Sequence, residues 1–87
     1  MNKIISKKQF SEKVFCIVVE APLIARSCRA GNFVIVRVDN NSERVPYTIA
    51  KSDPVKGILT MVIQEVGKSS TKLCRLNVGD EVHDIVG

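Results

Sequence analysis

Hydrophobic and polar positions alternate along this 87-residue chain in short segments of strand length. Three of them are rich in the β-branched and aromatic residues that strands favour, namely 14–20, 33–38 and 45–50. A fourth segment, 58–66, is apolar on both alternating faces. It is therefore either buried on both sides or lines the core on one side and a ligand on the other. Segments 4–10 and 81–86 are predicted to close the sheet at its two ends.

One short helix is predicted after the fourth strand. The run Ser69-Ser70-Thr71 offers a hydroxyl N-cap, and Leu73 and Leu76 then fall three residues apart on one helical face. Segment 21–28 is ambiguous, because a proline near its start either begins a helical turn or marks a loop. We therefore expect one short helix in a chain that otherwise consists mostly of strands.

Short strands separated by turn signals predict an all-β fold, a six-stranded closed antiparallel barrel with one short helix. The clearest turn signal is Asp53-Pro54 followed by Gly57, which is typical of a connection between two antiparallel strands. Closure would also remove the exposed edge strands that an open sheet of this size leaves. Greek-key connectivity is compatible with the pattern but does not follow from it.

Composition narrows the class of protein. Hydrophobic residues make up 45% and charged residues 25% of the chain, as in ordinary globular domains. No apolar run approaches the length that a membrane helix needs, and the lysine-bearing N-terminus has no apolar segment typical of a signal peptide. The three cysteines are odd in number and widely spaced, which favours reduced thiols over disulfides or a zinc site. We therefore expect a cytoplasmic protein with no membrane partner.

The net charge of +4 leaves two interpretations open. A small basic barrel can bind nucleic acid, or the lysines can simply form a solvated surface. The basic residues are scattered rather than clustered, which favours the solvated surface. Nucleic-acid-binding barrels also present several aromatic side chains for base stacking, whereas Phe10, Phe15 and Phe33 lie in core-like sequence contexts. A binding module without flavin, for nucleic acid or for a protein partner, remains the alternative.

The most informative polar stretch runs from Gln64 to Thr71. A long strand ends, a glycine allows a tight turn, and a helix begins. Helix N-termini present free N–H groups and a partial positive charge that attract anions. Hydroxyl groups and lysines, without a carboxylate, occupy this first turn, as a phosphate group would require. Simple capping of the helix is the other interpretation, and hydroxyl caps are common without ligands.

A second stretch, 44–49, contains the chain's single tyrosine, Tyr47. Pro46 marks an edge, a strand start or a bulge, and the tyrosine ring can stack on a planar ligand while Thr48 hydrogen-bonds to it. The competing interpretation is a half-buried core tyrosine with a hydrated hydroxyl group. No catalytic residue and no metal-ligating set is predicted, because the single histidine, His83, is isolated. The glycines do not form a dinucleotide-binding fingerprint, so no nicotinamide site is predicted either.

Taken together, these motifs resemble the flavin-binding domain of the ferredoxin–NADP reductase superfamily. The segment 44–49 resembles its flavin motif R-x-Y-S/T, and 67–73 resembles its pyrophosphate loop and helix. Segments 21–36 and 79–87 look like flanking barrel strands, so the resemblance covers essentially the whole chain. The pattern is most similar to the branch containing the alpha subunit of NADH-dependent ferredoxin–NADP oxidoreductase, also called sulfide dehydrogenase beta subunit. The electron-transfer subunit of dihydroorotate dehydrogenase is related.

The resemblance implies a Greek-key barrel, residues 1–87, that binds FAD in an oxidoreductase moving electrons between NAD(P)H and an iron–sulfur protein such as ferredoxin. In the family, a nicotinamide-binding domain and a cysteine-rich tail with an iron–sulfur cluster follow, and we expect both to lie outside this chain. We also expect a partner oxidoreductase subunit, and no turnover of nicotinamide by the isolated domain.

The resemblance further implies which residues bind the cofactor. The isoalloxazine and ribityl region is assigned to Val45, Pro46, Tyr47 and Thr48, with Ile63, Gln64 and Glu65 at its border. The pyrophosphate is assigned to Gly67, Lys68, Ser69, Ser70 and Thr71. Arg44 departs from the family pattern, because it stands three rather than two residues before the tyrosine and should point to the opposite face of a regular strand. A bulge at Pro46 would restore its position; otherwise Lys68 and the helix N-terminus must compensate.

Overall fold

The computed structural model describes residues 2–87 as six antiparallel strands and two short helices. In chain order these are β1 (Ile4–Gln9), β2 (Val14–Glu20), α1 (Pro22–Ser27), β3 (Phe33–Arg37), β4 (Val45–Asp53), β5 (Ile58–Gln64), α2 (Lys68–Arg75) and β6 (Asp84–Val86). Each predicted strand segment forms a strand. Neither helix within residues 2–87 has the length and apolar character needed to cross a membrane.

The strands lie in the order β1-β2-β5-β4-β3-β6. β3, β4 and β5 follow one another as neighbours, and β6 returns through α2 to pair with β3 on its other side. Three consecutive strands with a fourth returning beside the first make a Greek key. The predicted all-β, six-stranded antiparallel Greek-key class is therefore confirmed.

Closure of the sheet is only partial. The ends β1 and β6 do not pair; instead, the chain around Ile4 hydrogen-bonds to the segment before β6. The Ile4 N–H donates to the Asp80 carbonyl at 2.8 Å, and the Gly79 N–H donates to the Ile4 carbonyl at 2.8 Å. The predicted last strand begins late, at Asp84, because the residues before it bond elsewhere: the Val82 N–H donates to the Asn2 carbonyl at 2.9 Å. The barrel is thus not closed by a continuous strand ladder.

The ambiguous segment 21–28 forms α1, so the structure has two helices where the sequence predicted one. Pro22 occupies the first turn of α1, where its missing N–H costs nothing. Gly57, at the end of the β4–β5 connection, has φ of +69° and lies against this proline. A Cβ added there would come within 2.9 Å of Pro22 Cβ. The glycine therefore allows both the tight turn and the close approach of α1.

α2 begins earlier than the hydroxyl run predicted. Its N-cap is Gly67, in extended backbone, and Ser70 stands at the third helical position. The Ser70 hydroxyl reaches back and accepts the N–H groups of Val66 and Gly67, each at 2.9 Å. This is half of a capping box, since a glycine has no side chain to complete the other half. The prediction of a serine or threonine N-cap is wrong, because the serine caps from inside the helix.

The core lies between the two halves of the curled sheet. Ile17 and Met61, opposite each other on β2 and β5, are fully buried, as is Leu73 of α2. On β5 the alternate residue Val62 is 44% exposed, so this strand lines the core with one face only. The placement of the phenylalanines in the core is wrong for two of them. Phe10 and Phe33 are 57% and 62% exposed, because Phe10 follows β1 and Phe33 points outward beside buried Val34.

Candidate functional site

A cleft of about 590 Å³ opens where β4 and β5 separate. Pairing between these strands ends at Ile49 and Met61. Residues 45–48 of β4 continue beside β3 alone, and residues 62–64 of β5 continue beside β2 alone. The two strands therefore diverge, and their facing backbone groups no longer pair with each other. An open gap with two strand walls results, and the N-terminal end of α2 closes one end of it.

Three parts of the chain line this cleft. One wall is the β4 segment predicted from the flavin motif, and the opposite wall is the end of β5 with the first turn of α2. The third part is the β3–β4 loop, which no sequence motif indicated. The lining residues are Asn41, Ser42, Glu43, Val45, Pro46, Tyr47, Thr48, Val62, Gln64, Val66, Gly67, Lys68, Ser69, Ser70 and Lys72. Most of the residues assigned to the cofactor thus share one cavity.

Tyr47 carries the most unusual polar atom of the cleft. Its ring is half-buried, and within residues 2–87 its hydroxyl is a buried polar atom without a hydrogen-bond partner. Burial raises the pKa of Tyr47, with a smaller contribution from the nearby Cys74 thiol. The hydroxyl therefore stays protonated at neutral pH, with a donor to offer. An unsatisfied buried hydroxyl is destabilising, and it would gain a partner if the side chain rotated to bring the hydroxyl group towards a ligand in the cleft.

The first turn of α2 supplies the positive end of the cleft. This turn has no acidic residue, and Lys68 has no hydrogen-bond or ion-pair partner among residues 2–87. The first bond of the helix runs from the Thr71 N–H to the Gly67 carbonyl at 2.9 Å, so the N–H groups of residues 68–70 have no partner within the helix. Free N–H groups, a helix dipole and an unpaired lysine attract an anion.

The Ser70 hydroxyl has a structural role, while the cofactor contact assigned to Ser70 stays a prediction. This side chain is only 6% exposed. Besides accepting two N–H groups, it donates to the Gly67 carbonyl at 3.1 Å. With its donor and both lone pairs engaged, the hydroxyl shapes the turn, and Ser69 lines the cleft beside it.

Some assigned residues do not line the cleft. Arg44 lies outside it and forms an ion pair with Asp84 at 2.9 Å. The pairing of β3 with β4 runs without a break through Pro46, so no bulge returns the arginine to the tyrosine's face. Ile63 is fully buried in the core. Glu65 and Thr71 are also absent from the lining.

Several lining residues were missed by the sequence reasoning. Val62 had a usable signal, because it alternates with core residue Ile63 on a strand whose two faces are both apolar. Lys72 follows Lys68 by four residues, the spacing that puts side chains on one helical face. The loop residues 41–43 had no such signal, because their position depends on how the loop folds against α2.

Comparisons with known proteins support a common origin with electron-transfer subunits. A protein of Clostridium beijerinckii, described as an uncharacterized protein in the adh 3′ region, is 45% identical over all of this chain and 29% of its own length. The dihydroorotate dehydrogenase B (NAD+) electron transfer subunit homolog of Thermotoga maritima is 34% identical over all of this chain and 31% of its own length. The corresponding subunit of Shouchella clausii is 31% identical, over 97% of this chain and 33% of that protein.

Solved structures agree with the sequence comparisons. The structure of an NADH-dependent reduced ferredoxin–NADP oxidoreductase, described in connection with flavin-based electron bifurcation, superposes with a TM-score of 0.96 at 34% identity. The match covers all of this chain and 32% of that one. The siderophore-interacting protein of Acinetobacter baumannii matches in fold alone, with a TM-score of 0.73 and 15% identity over 98% of this chain and 38% of that one.

The similarity covers only part of each relative. The chain spans 29% to 33% of the length of the curated relatives described here. A scan against protein-family models finds no match. Identity above 30% over the whole chain, together with the near-identical backbone of one solved structure, shows homology to one part of these proteins. Over its described length the chain is similar to the dihydroorotate dehydrogenase B electron transfer subunits and to the NADH-dependent reduced ferredoxin–NADP oxidoreductase.

Proposed function

We propose that residues 1–87 form an FAD-binding domain of a flavin-dependent oxidoreductase that passes electrons between NAD(P)H and an iron–sulfur protein such as ferredoxin. One observation carries the proposal. A single cleft joins an apolar strand wall and a tyrosine with an unused hydroxyl to a helix N-terminus with a free lysine. A ligand that fits it has a planar apolar part, hydroxyl groups and a phosphate part.

The residues of the two strand walls bind the ring system in this proposal. Val45, Pro46 and Val62 offer apolar contact, and the Tyr47 hydroxyl donates to a hydroxyl group of the ribityl chain. The backbone groups exposed where β4 and β5 separate remain available to the polar edge of the flavin ring. Because the strand walls are held by the sheet, they orient the ring with little loss of conformational entropy on binding.

The phosphate part lies at the start of α2. The N–H groups of residues 68–70 and the Lys68 ammonium group provide the positive charge, and Ser69 adds a hydroxyl. Arg44 takes no part, because it does not line the cleft. The helix N-terminus with Lys68 compensates for the displaced arginine, which is the second of the two alternatives left open by the sequence.

Bound FAD would supply the hydride and one-electron chemistry that amino-acid side chains lack. This chain's residues hold and orient the cofactor, and none of them has to act as an acid or base. The nicotinamide, the iron–sulfur cluster and a partner subunit are proposed to lie outside residues 1–87. A cytoplasmic location, expected from the reduced cysteines, stays a prediction.

A non-enzymatic binding module is less well supported. Phe10 and Phe33 are exposed, as base-stacking residues would be. However, Phe10 follows β1 and Phe33 begins β3, and three strands lie between these two in the sheet order. They do not form one stacking row, and neither lines the cleft.

The test is a titration of the 87-residue protein with FAD, followed by flavin fluorescence, for wild type, Lys68→Ala and Lys56→Ala. Both variants lose one positive charge, but only Lys68 lines the cleft. We expect saturable binding that Lys68→Ala weakens about tenfold, the value of one charge-assisted contact, while Lys56→Ala leaves it unchanged. Absence of binding in wild type, or equal weakening by both variants, would contradict the proposal.

A further inference from the structure

Lys72 of α2 connects the cleft wall to the loop between β3 and β4. Its Nζ atom lies 3.3 Å from Asp39 Oδ2 and 3.4 Å from Ser42 Oγ. Lys72 itself lines the cleft, one helical turn beyond Lys68. Two lysines thus lie along the wall where the phosphate part is proposed to bind. Lys68 has no partner among the described residues, and Lys72 is held by the carboxylate of Asp39, which does not line the cleft.

The loop does not need Lys72 to keep its shape. Arg37 donates to the carbonyl groups of Asn40 at 2.8 Å and Ser42 at 3.3 Å. Asp39 Oδ1 accepts the Asn41 N–H at 2.9 Å and the Ser42 hydroxyl at 2.8 Å. These two hydrogen bonds, with a smaller contribution from Lys72, lower the pKa of Asp39 and keep its carboxylate charged. The bonds anchor the loop from its own residues, so Lys72 can leave without releasing it.

The ion pair itself is easily broken. The two side chains are 34% and 47% exposed and their charged atoms lie 3.3 Å apart. Exposed pairs of this kind contribute little, because solvent screens them and two flexible side chains must be held together. A diphosphate in the cleft, with one negative charge on each of its two phosphate groups, offers Lys72 a stronger partner. The lysine needs only side-chain rotation to reach from one acceptor towards the other.

We propose that Lys72 is a second phosphate-binding residue of the cleft, held by Asp39 when the cleft is empty and transferred to the ligand's diphosphate on binding. The ligand class is a flavin dinucleotide, so this inference rests on the proposed function. Asp39 then competes with the ligand's diphosphate for Lys72, and this competition lowers the affinity of the cleft for ligands with phosphate groups. Glu43, which also lines the cleft, adds a fixed negative charge that does not change in the exchange.

The experiment compares wild type, Asp39→Asn, Lys72→Gln and the double variant, each titrated with FAD and with riboflavin, which lacks phosphate. Asparagine keeps an oxygen for the Asn41 N–H, so the loop should keep its shape. We expect Asp39→Asn to tighten FAD binding about threefold, the value of an exposed ion pair. Lys72→Gln should weaken it about tenfold. The double variant should match Lys72→Gln, and riboflavin affinity should not change in any variant.

Inorganic pyrophosphate, followed through the amide NMR signals of residues 68–72, separates this inference from the flavin proposal. If the variants rank in the same order of affinity for pyrophosphate but none of them binds FAD, the exchange of Lys72 is supported and the flavin proposal is rejected. Weaker pyrophosphate or FAD binding by Asp39→Asn would mean that the pair holds the loop in place, and would overturn the exchange. An Asp39→Asn effect that persists without Lys72, or no pyrophosphate binding at all, would overturn it as well.

Discussion

Tyr47 is the residue for which the sequence left two interpretations open. Its ring is half-buried, as a core tyrosine would be, and it also lines the cleft. The hydroxyl group is buried without a partner, so it is not hydrated as the core interpretation expected. Contact of Tyr47 with a ligand stays a prediction. The sequence alone could not show that the hydroxyl has no partner within residues 2–87.

Tyr47→Phe should separate stability from binding. Removing an unsatisfied hydroxyl should raise the free energy of unfolding by up to about 1 kcal/mol, because the desolvation cost disappears. FAD affinity should fall about threefold to tenfold, since the ligand loses one hydrogen bond. Urea denaturation and flavin fluorescence measure the two quantities. A less stable Tyr47→Phe protein would show that the hydroxyl has a partner in the free protein.

Cys74 predicts a loss of stability at alkaline pH. This thiol is 1% exposed, and burial, with the Glu65 carboxylate nearby, raises its pKa from 9.0 to about 11. The folded state therefore holds its proton more tightly than the unfolded state does. The stabilisation is complete below pH 9 and is lost as the pH rises from 9 towards about 11. Tyr47, whose pKa is also raised, acts in the same direction at higher pH.

The measurement is the free energy of unfolding as a function of pH, for wild type and Cys74→Ala. The variant should be less stable throughout, because it leaves a small cavity, but its stability should fall less steeply above pH 9. In the native protein a thiol reagent should modify Cys16 and Cys28, which are partly exposed, well before Cys74. Equal slopes in the two proteins would argue against the raised pKa.

At the scale of elements, α2 illustrates what residue patterns can and cannot predict. The glycine followed by hydroxyl residues predicted a helix N-terminus that would bind an anion. The structure places a helix N-terminus at the cleft, and the anion stays a prediction. The starting residue was wrong, because hydroxyl groups cap helices both from the N-cap and by reaching back from the third position. Sequence cannot choose between these when Ser69 and Ser70 are adjacent.

Ser69→Ala and Ser70→Ala form a matched pair that tests this arrangement. Ser70→Ala should lower the free energy of unfolding by about 1 kcal/mol, because the N–H groups of Val66 and Gly67 lose their acceptor. Ser69→Ala should change stability by less than about 0.5 kcal/mol, as surface substitutions usually do, and weaken FAD binding alone. If Ser69→Ala proved the more destabilising, the serine hydroxyls would have the opposite roles.

At the scale of the whole molecule, strand segments and fold class followed from local pattern, while the cleft depends on long-range geometry. Four of the strands, β2 to β5, carried their own signal of β-branched and apolar residues, whereas β1 and β6 were predicted as the segments that close the sheet. The separation of β4 from β5 beyond Ile49 and Met61 had no signal in the sequence, because it depends on where two distant segments stop pairing. The ion pair of Arg44 with Asp84, forty residues apart, is of the same kind. Proximity of this sort is decided by the sheet order.

An FAD titration of the 87-residue protein, followed through its amide NMR spectrum, maps where the flavin binds. We expect saturable changes in the amide signals of Val45, Tyr47, Thr48, 62–64 and 66–70, which surround the cleft. The signals of β1 and of the β1–β2 turn should stay unchanged. FAD-induced changes centred elsewhere, or none at saturating FAD in a well-folded sample, would contradict the assignment of this cleft to the flavin.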